Sequence, residues 1–535
     1  MLVSIFDKQI KKVTHKSLLL LFIPLVLSAF THIWNPIGFP ALHVDEGHYM
    51  RRAMQVIEGQ GPQESNNTYF YAYDHPYFGQ LFLGGVLKLI GYPDILSPKA
   101  GDVHSIEMLY LVPRVIMGLL AVLDTFLIYK IAEHRYGRNV AFVASILFAV
   151  MPLSLLLRGI FLDSILLPFL LASILFGIYS NEIKTIKGSR RNKKNLFILL
   201  SGIFLGLAIF TKAPLVTMIP LISFIIISNS NKKFKSLMLW FIPVILIPMI
   251  WPAYAASIGH FDDWKHGILY QTSRETGNDL RSSIDILFQI DPIFLLLALA
   301  GFIYSELRKS YFIFLWIVPY MIFLSTLGWV VHFHWIILIP CFCITIGVLI
   351  EGISKRIKSK SITQAARIVI IFAIGIFVFT NTYSSIASDM NSSYLELYSY
   401  INQELQSNSK LDTNNDNHNG ITVIGSHRVK ALYWIPIYVF NNNKIFFSDT
   451  DVGQQLTLPP IETKKVILIV DNSLRDRLVP FENIGNEKDK QIGSFYYKAQ
   501  TIATFINNEY KRYPYMTMQD NYGLGGFVEV RSNHN

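Results

Sequence analysis

The sequence predicts a mainly α fold: a polytopic helical membrane protein of about eleven spans, with a small α/β domain at its C-terminal end. Three observations predict it. The 535 residues are 52% hydrophobic and only 16% charged, whereas a soluble domain carries nearer a quarter charged. The apolar residues gather in runs close to the roughly 20 needed to cross a bilayer. The net charge of +10 sits in short Lys/Arg clusters between alternate runs. That is the pattern of cytoplasmic loops, not of a face that tracks nucleic-acid phosphates, so no nucleic-acid partner is expected.

The basic start, Met1 to Lys16, leads into the apolar run 17–34. The run ends in Thr31-His32-Ile33-Trp34-Asn35-Pro36 without a small-residue cleavage site. It therefore reads as an uncleaved first span, with Trp34 at the headgroup level. Further spans are expected at 108–132, 139–157, 160–180, 196–212, 214–229, 237–256, 292–305, 312–328, 331–351 and 366–384. Arg135 and Arg138, Lys184 to Lys194, Lys232 to Lys235, Arg308-Lys309 and Lys355 to Lys360 occupy alternate gaps. With the N-terminus cytoplasmic, all of these clusters fall inside and the loops 35–107 and 257–291 fall outside. Residues 77–92 are apolar but short, and hold Gln80 and Lys88. Counted as a span they would turn every later basic loop outward, so they are expected to lie as a helix at the outer interface. An odd number of spans puts the C-terminus outside.

The transmembrane module is thus expected over 1–384 and a linker over 385–419, including an Asn-rich loop from Asn402 to Asn419. An extracytoplasmic α/β domain over 420–535 follows, with strands at 421–425, 443–447, 464–470 and 526–531 and a helix at 427–440. No glycine-rich phosphate loop occurs in it. Cys341 and Cys343, inside an apolar run, read as buried thiols, not as a zinc cage or a disulfide framework. Asn66-Asn67-Thr68 and Asn391-Ser392-Ser393 could accept N-glycans.

The topology gathers ionisable residues at one outer level of the membrane. Asp45 and Glu46 follow the first span, and His75 precedes the interfacial helix. Arg114 opens one span, Arg158 closes the next, and Asp163 opens the one after. Lys212 ends a span, while His332 and His334 sit at the turn into another. For any one of these a snorkelling side chain is an adequate account. The set is harder to dismiss, because the positive-inside trend should deplete cations there. In HVDEGHYMRRAMQVIEG, Asp45, His48, Tyr49 and Arg52 recur at i, i+3, i+4 and i+7, one face of a helix. Acids at a helix start also complement its dipole, and spacing alone favours that reading. Cations at the lipid–water boundary suit a lipid-linked phosphate, and a nearby carboxylate can take a proton from a hydroxyl.

The acidic pair after the first span, followed by Asp74-His75-Pro76-Tyr77-Phe78-Gly79-Gln80, resembles the protein O-mannosyltransferase superfamily, whose pattern is roughly His-Pro-Pro-x-Gly-Lys. Pro113-Arg114, Arg158 with Leu162-Asp163, and Gly206-Leu207-Ala208 with Thr211-Lys212 also look like that group. The wider class is the GT-C membrane glycosyltransferases, which includes the aminoarabinose lipid A transferases. The likeness covers roughly 17–215 and is diffuse beyond, apart from His332-Phe333-His334-Trp335. In two places the chain departs from the pattern: Tyr77 replaces the second proline and Gln80 the lysine.

The resemblance implies an inverting sugar transfer from a polyprenyl- or dolichyl-phosphate donor to a hydroxyl of a protein, lipid or glycan acceptor. The sugar would be mannose or another hexose or pentose. By position Asp45 would be the general base, and Glu46 would orient the acceptor or support the base. Arg114, Arg158, Lys212, His332 and His334 would hold the phosphate, with His75 and Asp163 as further substrate contacts. No metal ligand is assigned. Other GT-C branches use a divalent cation at acidic loop residues, and Asp262-Asp263 could supply one ligand, though a solvated acidic turn explains that pair as well. A transporter or lipid flippase is the competing class, but no internal repeat is found and the charges sit at one face. A membrane receptor would leave Asp45-Glu46 and Asp74-His75-Pro76 unexplained.

Overall fold

A computed structural model of the chain describes residues 15–62, 73–96, 101–183, 189–228, 232–273, 279–356, 379–380, 382–409, 422–424, 466–471, 474–475, 478, 494–506 and 527–532. It opens with helix α1 (His15–Ile33), the two short helices α2 (Val44–Glu58) and α3 (Phe78–Leu89), and the long α4 (Val103–Tyr136). Helix α5 (Arg138–Val150) turns through a 3-10 segment, Pro152–Arg158, into α6 (Leu162–Glu182) and α7 (Ser189–Thr211). A second 3-10 segment, Ala213–Met218, leads to α8 (Ile219–Ser228), α9 (Lys233–Leu246) and α10 (Ile250–Ser257). The short α11 (Phe261–Thr272) and α12 (Leu280–Ile290) precede α13 (Pro292–Leu307) and α14 (Tyr311–Ser325). The segment His332–Ile337 enters α15 (Ile339–Ser354), and α16 (Ser392–Ser409) leads to the sheet.

Every expected span up to 331–351 coincides with helical residues; 366–384 lies largely outside the described residues. Four helical stretches, 103–136, 162–182, 192–211 and 233–257, are long and apolar enough to cross a membrane. There are six if the bent pairs 138–158 and 280–307 each count as one. The expected interfacial segment is the short helix α3, pressed against α2 where Gly84 meets the Ala53 carbonyl; a Cβ there would lie 2.7 Å from that oxygen.

Helix α4 sets the layering. Its 34 residues reach about 50 Å at 1.5 Å per residue, well beyond a bilayer's apolar thickness. Its second half packs into the large core of α5 to α9 and α13 to α15, around Ile128, Phe148, Leu170, Trp240, Trp316 and Ile344. Its first half packs, through Ile106, Leu109, Tyr110 and Met117, into a second core with α2, α3 and α16.

The four-stranded sheet has the order β1 (Thr422–Ile424), β2 (Val466–Asp471), β4 (Phe527–Ser532), β3 (Gln500–Ile506), parallel at the first pairing and antiparallel at the others. Alternation divides its side chains between two faces. Ile467, Ile469, Val528 and Val530 enter the same core as Met50, Leu83 and Tyr110, while Val466, Leu468 and Val470 meet Leu474, Leu478 and Tyr496. The sheet therefore shares its core with α2, α3 and α4 instead of standing beyond a linker. The stretch expected as a connection contains α16, whose Tyr394, Leu395, Tyr398 and Ile401 are buried at helical spacing; the asparagine-rich composition from Asn402 onward reads as loop and hides that period. Strand β3 was not expected. The expected helix 427–440 and strand 443–447 lie outside the described residues.

Asn391 of the second glycan motif is buried, its amide donating to the carbonyls of Ile37 and Pro40 at 2.7 and 2.8 Å. It braces two segments and is not presented for glycosylation. Asn66 lies outside the described residues.

Candidate functional site

A cavity of about 370 Å³ opens where α2, the 73–77 turn, α6, the end of α7 and α11 meet. One wall carries Asp45, His48 and Tyr49 of α2, with Asp74 and His75 beside them. Asp163, Lys212, Gln271 and His334 also line the cavity, with an aromatic rim of Trp251, Tyr270, Trp329 and Phe333.

Local chemistry at the start of α2 separates the two acids. His43 caps the helix: its Nδ1 accepts from Asp45 N at 3.2 Å, and its own N–H donates to Glu46 Oε2 at 3.1 Å. Successive helical residues are turned about 100° apart. Asp45 consequently faces the cavity with its side chain one-third exposed (34%), 3.8 Å from His43 Nδ1. Glu46 turns inward and is fully buried.

Glu46 does not line the cavity. Its carboxylate accepts from Arg114 Nε at 3.0 Å, Arg114 Nη2 at 2.7 Å and the Ile160 N–H at 2.9 Å. Arg114 Nη1 donates to the carbonyls of Pro36 and Pro40 at 2.8 and 2.9 Å. Arg158, equally buried, donates to the carbonyls of Thr31, Trp34 and Asn35 and lies over the Phe39 ring. The two arginines expected to hold a phosphate are thus engaged by backbone and carboxylate oxygens away from the cavity. Charged donors sequestered this way fix the chain between α1 and α2, because removing either partner would leave a buried charge.

At the cavity wall two other ion pairs form. Lys212 Nζ lies 3.0 and 2.8 Å from the two oxygens of Asp163, 5.2 Å from the centre of the Phe333 ring. Lysine at the end of α7 and aspartate in the first turn of α6 each sit at the helix end that suits their charge. Arg52, the fourth member of the α2 face, donates to Asp74 at 2.8 Å. Burial presses the Asp74 carboxyl upward, but Arg52, with His75 and His48, outweighs it and holds the group below the usual carboxylate range. Burial lowers the His75 imidazole, aided by Lys212 and Arg52 and opposed by Asp74 and Asp45. Burial, then Asp45, Asp74 and Asp163, drives the Tyr49 phenol well above its ordinary value.

The structure brings Asp45, His75, Asp163, Lys212 and His334 to one cavity and leaves Glu46, Arg114, Arg158 and His332 off its wall. His334 Nδ1 accepts from the Val331 N–H at 3.2 Å, and the His332 ring packs edge-on against Phe333. Asp262 and Asp263 are exposed at the start of α11, near Lys265 and His260 respectively, and take no part in the cavity. Among the described residues no group of three His, Cys, Asp or Glu side chains is placed to hold a metal ion. Sequence reasoning missed the aromatic rim, whose residues look like ordinary membrane-interface aromatics. Gln80, where the family pattern has lysine, is buried, and neither its amide oxygen nor its nitrogen has a hydrogen-bond partner among the described residues.

The helical bundle and its second core together have a fold similar to that of solved GT-C glycosyltransferases. Residues 61–262 match the family model described as dolichyl-phosphate-mannose-protein mannosyltransferase, in line with the likeness read from the motifs. ArnT from Cupriavidus metallidurans, solved with undecaprenyl phosphate, superposes with a TM-score of 0.53 at 11% identity, covering 96% of this chain and 97% of that one. The Archaeoglobus fulgidus oligosaccharyltransferase tethered to an acceptor peptide gives 0.57 at 11% identity, covering 93% and 74%. The same archaeal enzyme, AglB, with an inhibitory peptide and dolichol-phosphate gives 0.52 at 10% identity, covering 93% and 74%. No curated protein sequence matches the chain.

Proposed function

We propose that this chain is a membrane glycosyltransferase that moves a sugar from a polyprenyl- or dolichyl-phosphate donor to a hydroxyl acceptor, with Asp45 as general base. One observation carries the assignment of the base. Of the three cavity aspartates among the described residues, Asp74 is engaged by Arg52 and Asp163 by Lys212, while Asp45 is the most exposed and lies 3.8 Å from an imidazole, His43, instead of a lysine or arginine. A carboxylate without a strong cation partner is the one able to take a proton.

In this reading the acceptor hydroxyl gives its proton to Asp45 as its oxygen attacks the anomeric carbon. The glycosyl–phosphate bond breaks on the opposite face, inverting that carbon and releasing the lipid phosphate. Lys212 and His75 stabilise the departing charge. Glu46, Arg114 and Arg158 act by bracing the start of α2, not by touching substrate. The neighbours' undecaprenyl and dolichol phosphates support the donor class, and the family match makes mannose the first sugar to test among hexoses and pentoses. The acceptor is a protein, a lipid or a glycan.

The same reading puts the N-terminus in the cytoplasm and about eleven helices across the bilayer. Both large loops and the C-terminal region then lie outside, with 1–384 as the catalytic module and 420–535 as the outer α/β region. Membranes containing the chain would be given radiolabelled polyprenyl-phosphate mannose and screened for label in protein, lipid and glycan fractions. Incorporation that disappears in Asp45→Asn is expected. Undiminished incorporation in that variant would remove Asp45 from the base role.

A further inference from the structure

Resting on that reading, the cavity's own charge balance leads to a property beyond it. Among the described residues, the carboxylates facing or flanking the cavity are Asp45, Asp74 and Asp163, and the cations are Arg52 and Lys212. With its histidines neutral, the site therefore holds an excess of one negative charge. A phosphodiester adds another, and the departing phosphate monoester adds a further one as the glycosyl bond breaks. Like charges in a partly buried site of low effective dielectric repel strongly, so the site needs another cation when loaded. The family-pattern lysine does not supply it, because the neutral Gln80 stands there and lies off the cavity wall.

We propose that His75 is that cation: it takes a proton from solvent as the lipid phosphate seats, so that donor binding is coupled to proton uptake at this side chain. Its position suits the task. His75 lines the cavity between the Arg52–Asp74 and Lys212–Asp163 pairs. From α2 it is faced by Asp45, His48, Tyr49 and Arg52, and in its own turn by Asp74. Asp163 and Lys212 close the site from α6 and α7, with Tyr270 and His334 on the remaining sides. Burial, with Lys212 and Arg52 against Asp74 and Asp45, lowers the imidazole's hold on a proton; an arriving anion opposes that. In the transfer step the hydroxyl proton goes to Asp45 and the second phosphate charge meets His75 and Lys212. The proton on His75 leaves with the lipid phosphate.

The test is calorimetric titration of the solubilised full-length chain with undecaprenyl phosphate in two buffers of different ionisation enthalpy, which counts protons taken up. The parent is expected to take up about one more proton per ligand than His75→Gln, with affinity falling up to about tenfold per pH unit above neutrality. His75→Arg, with a permanent cation, is expected to bind without the extra uptake and with a flatter pH profile, which separates charge from a packing role. Equal proton uptake in the parent and both variants would overturn the role of His75 while leaving the donor class standing. Failure of the parent to bind undecaprenyl phosphate or a dolichyl phosphate at any pH would overturn both.

Discussion

Asp45 and Glu46 are neighbours in the chain and belong to different regions of the molecule. Asp45 stands on a cavity wall whose ion pairs, Asp163–Lys212 and Asp74–Arg52, keep partial contact with open space. Glu46 lies in a closed knot with Arg114, Ile160 and the 36–40 backbone, where both charged side chains are fully buried. The difference shows that ionisable residues gathered near one site do not all face its cavity. Burial with every donor directed at protein oxygens marks a brace, whereas a charge with a cavity in front of it can change partner.

That contrast can be broken in order of effect. Replacing Asp45 by Asn is expected to reduce turnover by about 10²–10⁴-fold, with the melting temperature of purified protein unchanged. Replacing Glu46 by Gln leaves the Arg114 charge buried without a carboxylate, a loss of about 3–5 kcal/mol. It should appear as a lower melting temperature and less folded protein, with any lost activity following the loss of fold. Replacing Lys212 by Met should raise the donor KM about tenfold through loss of one charge-assisted contact, with a smaller change in kcat. A kcat loss with donor KM untouched would instead place Lys212 with the brace.

The Asp74–Arg52 pair gives a pH test with a definite sign. The Asp74 carboxyl is lowered on folding, so its contribution is present above the unfolded carboxylate value near ~3.9 and is lost as pH falls through the lower folded value. The melting-temperature difference between the parent and Asp74→Asn should therefore stay constant from pH 8 to about 5, and narrow only below about 4. A difference that closed already near pH 6 would contradict the pairing. At the small end, Lys265→Ala removes an exposed pair with Asp262 at 3.9 Å and should leave stability and turnover unchanged within error.

The helices were legible in the chain because lipid imposes long apolar runs, while the orientation read from charge belongs to the proposal. The helical face of Asp45, His48, Tyr49 and Arg52 was legible for the same kind of reason, since spacing fixes direction around a helix. Spacing did not separate Asp45 from Glu46, because the rotation that parts them depends on where His43 caps the helix. Nor could it show that Arg114 and Arg158 meet backbone carbonyls from residues 31–40, which only the folded chain brings near. Lys212 and Asp163 were each visible at a helix end, but not their pairing across two helices. Helix α16 was hidden by the asparagine-rich composition that begins at Asn402, and the aromatic rim by its likeness to any membrane-interface belt.

The most direct measurement is sugar transfer per folded molecule by Asp45→Asn and Glu46→Gln, compared with the parent in the same membranes with radiolabelled polyprenyl-phosphate mannose. Folded protein is counted by size-exclusion of the solubilised chain. The account predicts that Asp45→Asn is well folded and inactive, while the folded fraction of Glu46→Gln keeps most of the parent's turnover. The reverse pattern, a folded but inactive Glu46→Gln beside an active Asp45→Asn, would contradict it.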